Sequence, residues 1–197
     1  MTSLALKSYQ QAALDALAVF ARAAQRKGPA LAFRELAGRP YNPDAFGEVP
    51  CVCLRIPTGG GKTLLAAHAV ATLAREWQAS DAPVVLWLVP SDTIRSQTLK
   101  ALQSAGHPYR DALEASYGAD VRVCVLDDLP AIAPDDWGRK AIVVVATIQS
   151  FRIDDTGQRN VYSFSENFKR HFSGCDEQRL RVLHDLPDAV VTAADVA

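Results

Sequence analysis

The segment Thr58-Gly59-Gly60-Gly61-Lys62-Thr63 constrains the fold of this chain more than any other feature of its sequence. Three consecutive glycines allow the backbone to bend tightly, so that successive N–H groups can converge on phosphate oxygens where a helix begins. The Lys62 ammonium is then expected to contact the β and γ phosphates of a nucleotide, and the Thr63 hydroxyl to bind the Mg²⁺ that bridges them. The segment therefore predicts a triphosphate-binding loop.

The residues on either side fit this loop. Residues 51–56 predict a buried strand, and residues 64–77 predict a helix rich in alanine and leucine. Strand, loop and helix in this order are the context that a phosphate loop requires. Position 56 is Ile, where the general G-x-x-x-x-G-K-[ST] pattern has Gly, and this departure disfavours small-molecule kinases and GTPases. A glycine-rich turn that merely happens to precede Lys-Thr is the alternative interpretation.

Length and composition indicate one soluble globular domain. The chain has 197 residues, of which 49% are hydrophobic and 22% charged, and its net charge of −1 gives no global signal for nucleic acid. No apolar run is long enough to span a membrane. The cysteines form no C-x-x-C pair and the histidines share no ligand spacing, so we expect reduced core thiols, no structural zinc and a cytoplasmic protein. The cysteines are Cys51, Cys53, Cys124 and Cys175.

Strands and helices alternate along the chain. A first helix is predicted over residues 8–26, and a turn-rich stretch over residues 28–50 contains a short helix at 31–36. Short apolar runs predict buried strands at residues 84–89, 121–126 and 141–146, with a helix at 92–103. This alternation predicts an α/β fold with an open, mainly parallel sheet flanked by helices. Residues 152–197 show no such pattern, and we expect an irregular or helical extension there.

Four segments carry a resemblance to a known family: residues 6–10, 57–63, 88–91 and 144–151. In order and spacing they resemble the adenine-recognising element and motifs I, Ia and Ib of superfamily 2 DEAD/DEAH-like helicases, most closely the Res subunits of type III restriction enzymes. The resemblance implies a RecA-like P-loop NTPase fold over residues 1–151, with ATP and Mg²⁺ as cofactors. It implies nucleic acid as a partner, with DNA favoured over RNA, and either the rest of a motor or a modification subunit as a protein partner.

The same segments supply further candidate site residues. The Gln10 amide can bond both N6 and N7 of adenine, and its alternative is a solvated glutamine on an exposed helix face. Pro90 and Ser91 follow the end of a strand, and so does Thr147. Parallel sheets place their ligands at that edge, so these residues predict contacts to nucleic-acid phosphates. An ordinary turn or helix cap is the alternative for all three.

One expected element of the family is missing from the sequence. No apolar run after residue 151 ends in the Asp-Glu pair of motif II, whose carboxylates hold Mg²⁺ through water. We therefore expect a chain that ends before motif II and is inactive by itself. Asp127 and Asp128 follow a predicted strand and could imitate such a pair, but we interpret them as the start of a loop.

Three functions remain open at this point. The first is the ATP-binding part of a DNA helicase or translocase, an enzyme that hydrolyses ATP in its complete form. The second is a non-catalytic nucleotide-binding or nucleic-acid-binding module. A small-molecule phosphotransferase is weaker, because the arginine-bearing stretch at Arg152, Arg159 and Arg170 is explained more simply as solvated surface.

Overall fold

The computed structural model describes residues 5–41 and 49–151, and the predicted extension at 152–197 lies outside these ranges. The helices are α1 Ser8–Lys27, α2 Pro29–Ala37, α3 Lys62–Leu73, α4 Asp92–Gln103 and α5 Pro108–Tyr117. The strands are β1 Val84–Val89, β2 Val121–Val125 and β3 Ala141–Thr147. A π-helical turn, Ala74–Gln78, extends α3, and 3₁₀ turns lie at Leu126–Ala131, Pro134–Asp136 and Ile148–Phe151. None of the helices described here is long and apolar enough to cross a membrane.

The three strands form one parallel sheet in the order β1-β3-β2. The β1–β3 register runs from Val84 opposite Ile142 to Val89 opposite Thr147. Every residue of the central strand β3 is buried, as a continuous apolar run in a parallel sheet predicts. The predicted α/β class with a parallel sheet flanked by helices is therefore confirmed.

Side chains that alternate along the strands enter two different cores. On one face, helices α4 and α5 pack Leu102 and Leu113 against Val143 and Val145. On the other face, the 3₁₀ turns between β2 and β3 place Ile132 against Cys124, Ile142 and Val144. Because both faces of β3 are covered, this strand is the most deeply buried part of the sheet.

Strand β1 is covered on one face only. Val84, Leu86 and Leu88 share the other face and are each about half exposed, at 50%, 50% and 47%. The bounds predicted for this strand are confirmed, but the prediction that it is buried is wrong for that face. None of these three side chains belongs to a hydrophobic core of the described residues, so the burial that the apolar run indicated has no packing partner on that face.

Side chains cover the outer edge of β2. The Gln103 side-chain amide donates to the Val123 carbonyl at 3.0 Å, and Arg110 Nη1 donates to the Val121 carbonyl at 3.4 Å. These side chains occupy the backbone acceptors that an added strand would need. They also line a cavity of about 420 Å³ beside β2. This cavity is therefore a feature of the sheet edge, distinct from the phosphate loop.

The segment 51–56 corrects one prediction. It forms no strand, and Cys51, Cys53, Leu54 and Arg55 are exposed. The Cys51 N–H donates to the Tyr41 hydroxyl at 2.6 Å rather than to a neighbouring strand. An apolar run becomes a strand only where a second strand completes its hydrogen bonds, and none does so within the described residues. The expectation that Cys51 and Cys53 are core thiols is wrong for the same reason.

Cysteine alkylation should separate the exposed thiols from the buried one. Cys51 and Cys53 are exposed, whereas Cys124 is 2% exposed, and burial raises the pKa of its thiol. Because the thiolate is the reactive form, we expect iodoacetamide to modify Cys51 and Cys53 at least about tenfold faster than Cys124. Mass spectrometry of the peptides would follow each site separately. Equal rates at Cys124 and Cys53 would contradict the described packing.

The helices differ from the predictions mainly in extent. Helix α1 matches the predicted range to within one residue, whereas α2 begins at Pro29, earlier than expected. Helix α5 was not predicted. Its signals are Pro108 at the first helical position and the His107 ring nitrogen, which accepts from the Tyr109 N–H at 3.2 Å.

Candidate nucleotide-binding site

The glycine loop begins with a tight turn. The Gly60 N–H donates to the Pro57 carbonyl at 3.0 Å, and Gly59, at the third position of this turn, has φ 76°. Gly61 ends the loop with φ 74°. A side chain disfavours such positive φ values, so the run of glycines is what lets the chain pass from the turn into α3.

Helix α3 starts with unsatisfied donors. Gly61 is its N-cap residue and offers no side chain, so no side-chain cap bonds the first N–H groups. Lys62 and Thr63 are the first two helical residues, and the first turn contains no acidic side chain. Free N–H groups and the positive end of the helix dipole together make this terminus attractive to an anion.

The side chains of Lys62 and Thr63, at the start of α3, differ in their hydrogen bonding. Lys62 is exposed, and its ammonium donates to the carbonyls of Ile56 and Pro57, each at 3.0 Å. These are neutral acceptors, which a phosphate can replace with a stronger, charge-assisted partner. The Thr63 hydroxyl forms no hydrogen bond within the described residues. Both groups are therefore available to an incoming ligand.

Helix α1 contacts the loop through two consecutive side chains. The Tyr9 hydroxyl and the Gln10 side-chain amide both donate to the Gly60 carbonyl, each at 2.9 Å. The Lys7 N–H donates to Gln10 Oε1, also at 2.9 Å. Gln10 is only 4% exposed, so the alternative of a solvated glutamine is wrong. The structure thus brings Gln10 to the loop, while adenine recognition by Gln10 stays a prediction.

The candidate nucleic-acid residues meet at one edge of the sheet. Val89 lies opposite Thr147 in the register, so Pro90 and Ser91 follow β1 where Thr147 ends β3. Ser91 is exposed and caps α4, its hydroxyl accepting from the Ile94 N–H at 3.4 Å. The Gln149 amide links the two strand ends by donating to the Pro90 carbonyl at 3.2 Å.

Thr147, which was predicted to contact nucleic acid, is buried, whereas Gln149 at the same edge is exposed. Thr147 is 4% exposed, and its hydroxyl lies 3.0 Å from that of Ser150. Gln149 is exposed at the same edge and was not singled out as a site residue. The sequence could have indicated Gln149 as a site residue, since a polar side chain two residues beyond a buried strand lies where parallel sheets bind ligands.

One comparison with known proteins decides the family. The model of the family described as type III restriction enzyme, res subunit, matches residues 3–178. The chain belongs to this family. Searches of the curated proteins and of the solved structures found no match.

Membership of the res subunit family places the chain among helicase and ATPase proteins with a RecA-like N-terminal motor domain. The matched range includes α1, the phosphate loop and the whole sheet. It also continues past Phe151, so the boundary predicted between residues 151 and 152 stays a prediction. The resemblance inferred from four segments of the sequence is confirmed.

Oxygen ligands for Mg²⁺ are sparse in the described part of this res-family chain. The Thr63 hydroxyl is a hard oxygen ligand of the kind that Mg²⁺ binds together with nucleotide phosphates. No group of three or more His, Cys, Asp or Glu residues there could hold a metal ion by itself. Asp127 and Asp128 are exposed on the 3₁₀ turn after β2, which agrees with their interpretation as the start of a loop.

Gly60→Ala should distort the loop of this res-family chain. A Cβ atom at Gly60 would lie 2.7 Å from Ile56 Cγ2 and 2.9 Å from the Pro57 carbonyl oxygen. Such crowding typically costs about 1–3 kcal/mol, so we expect ATP affinity to fall by about tenfold or more as the loop shifts. Titration with a fluorescent ATP analogue would measure the change.

Gly138→Ala is the matched control for Gly60→Ala. Unlike Gly60, Gly138 has a positive φ, 76°, and a Cβ atom there has nothing within 4 Å. It introduces backbone strain without crowding the phosphate loop. Equal losses of ATP affinity in the two variants would mean that general destabilisation, and not the loop, is responsible.

Proposed function

We propose that this chain is the ATP-binding part of an ATP-dependent DNA helicase or translocase, which hydrolyses ATP in the complete protein. The observation that carries the proposal is the start of α3, where an uncapped helix follows a glycine loop and presents Lys62 and Thr63. Family membership supports the helicase and ATPase class. Translocation on DNA is part of this proposal.

Each residue of the loop has a defined task in this proposal. The N–H groups of Gly59 and Gly61 and those that begin α3 donate to the phosphates. The Gly60 N–H instead holds the turn through the Pro57 carbonyl. The Lys62 ammonium leaves the Ile56 and Pro57 carbonyls and neutralises charge on the β and γ phosphates. The Thr63 hydroxyl is a ligand of Mg²⁺, which when bound neutralises charge that develops on the transferred phosphoryl group.

Adenine recognition by Gln10 is compatible with its bonds to the protein. A glutamine amide has two N–H donors and an oxygen with two lone pairs. Gln10 uses one donor on the Gly60 carbonyl and one lone pair on the Lys7 N–H. The remaining donor and lone pair match N7 and N6 of adenine, so Gln10 could join the base to the loop.

Nucleic acid is proposed to bind where β1 and β3 end. Pro90, Ser91 and Thr147 are adjacent there, with Ser91 the exposed hydroxyl. A net charge of −1 means that binding depends on such local contacts rather than on the overall field. We favour DNA over RNA and a location in the cytoplasm. The rest of a motor or a modification subunit is the proposed protein partner.

ATP binding and turnover test the proposal. We would titrate the full chain with ATP and Mg²⁺, with GTP as the matched control, and then measure phosphate release with and without single-stranded DNA. Mg²⁺-dependent binding that prefers ATP would support the proposed function. Failure to bind ATP would refute it. ATP binding with phosphate release that DNA does not stimulate in any preparation, including one with the rest of a motor added, would instead indicate a nucleotide sensor.

A further inference from the structure

The carbonyl of Gly60 is held by two donors that come from the first turn of α1. The Tyr9 hydroxyl and the Gln10 amide reach the same oxygen at 2.9 Å, about 50 residues away along the chain. A carbonyl oxygen has two lone pairs, so this acceptor is saturated. The direction of the Gly60 carbonyl is therefore fixed by α1.

Fixing this carbonyl also fixes an N–H group. The described backbone contains no cis peptide bond, so the Gly61 N–H points opposite to the Gly60 carbonyl across one planar unit. With the carbonyl facing α1, the Gly61 N–H faces away from it. This N–H has no acceptor within the described residues. It stands beside the free N–H groups that begin α3.

Without the hydrogen bonds from Tyr9 and Gln10, little else would fix the orientation of the Gly60–Gly61 peptide. Both of its flanking residues are glycines, which rotate between positive and negative φ at low cost. A flip would exchange the positions of the carbonyl and the N–H, and would present a partial negative charge to a phosphate. Contact between α1 and the loop is close, because a Cβ atom on Gly61 would lie 2.6 Å from Gln10 Nε2.

We propose that Tyr9 is a positioning residue for the nucleotide phosphates: with Gln10, it orients the Gly60–Gly61 peptide so that the Gly61 N–H donates to a phosphate oxygen. The ligand class is a polyphosphate, and the adenine base takes no part in this role. Tyr9 is exposed at 40%, so it acts through its hydroxyl rather than through burial. The inference rests on the proposed function, because it assumes that the loop binds phosphate.

Tyr9→Phe tests this inference, since it removes the hydroxyl and keeps the ring. Loss of one neutral hydrogen bond should weaken the binding of ATP and of inorganic pyrophosphate about threefold to tenfold. Adenosine, which lacks phosphate, should bind both proteins equally. The matched control is Tyr41→Phe, which removes a hydroxyl that also bonds to backbone, at Val49 and Cys51, outside the glycine loop.

The outcomes separate this inference from the proposed function. If the unmodified chain binds neither ATP nor pyrophosphate, the proposed function fails and the inference fails with it. If it binds both and Tyr9→Phe binds pyrophosphate equally well, only the inference fails. A weaker affinity of Tyr9→Phe for adenosine would also overturn it, because the hydroxyl would then act on the base.

A second measurement needs no nucleotide. In the free protein, NMR relaxation dispersion should detect increased microsecond-to-millisecond exchange at the Gly61 amide of Tyr9→Phe, because the peptide is released to flip. The same amide in Tyr41→Phe should behave as in the unmodified chain. Unchanged exchange at Gly61 in Tyr9→Phe would overturn the orienting role.

Discussion

Lys62→Ala should lose most of its affinity for ATP while keeping its fold. A hydrogen bond to a charged group contributes about 1.5–3 kcal/mol, so we expect affinity to fall by about tenfold to a hundredfold. Any ATP turnover should fall further, because the ammonium also stabilises charge in the transition state. In the free protein Lys62 bonds only to two carbonyls near the surface, so stability should change by less than about 0.5 kcal/mol. Calorimetric titration and urea unfolding would measure both quantities.

Two further variants sharpen the interpretation of Lys62→Ala. Lys100→Ala removes an exposed lysine from α4 and should bind ATP as the unmodified chain does. Lys62→Arg keeps the positive charge but replaces a compact ammonium by a broad planar group, so it should restore affinity only in part. Full ATP affinity in Lys62→Ala would mean that the loop does not bind the phosphates of ATP.

Leu113→Ala should have the largest effect on stability. Leu113 is fully buried on α5, in the core that includes Leu102, Val143 and Val145. Truncating a leucine at such a site removes apolar contacts and leaves a cavity, which costs about 2–5 kcal/mol. This is a large fraction of the stability of an ordinary domain. Urea unfolding followed by circular dichroism should show a clearly lower midpoint.

Leu36→Ala is the control for Leu113→Ala. Leu36 belongs to α2 and is 51% exposed, so its truncation should change stability by no more than about 0.5 kcal/mol. The two variants make the same chemical change in different surroundings. A similar shift in both would show that α5 does not pack on the sheet as described.

Local signals in the sequence determined much of this fold. The apolar runs at residues 84–89 and 141–146 indicated strands, and a parallel sheet follows from their alternation with helices. The glycine loop followed by Lys62 and Thr63 indicated the helix start, and its phosphate ligand stays a prediction from the order of those residue types. Helix α5 was not predicted, because Pro108, its first residue, also fits the end of the preceding helix.

The predictions that were wrong concern strand pairing and burial, which depend on other elements of the tertiary structure. Residues 51–56 have the composition of a strand, but strand hydrogen bonds need a second strand, and the described part of the chain provides none there. The exposed face of β1 likewise lacks a partner, because no described element packs on it. Thr147 follows a strand as expected, yet its side chain turns towards Ser150 and is buried. The amino-acid composition of a strand end does not show which of its side chains face solvent.

The sequence by itself determined that a helix begins directly after the glycine loop and that apolar strands form a parallel sheet, because glycine runs, capping positions and apolar periodicity act over a few residues. Only the tertiary structure decided how α1 meets this loop. Tyr9 and Gln10 reach the Gly60 carbonyl across about 50 residues of chain. Such a contact depends on the packing of α1 against α3, which no local pattern specifies.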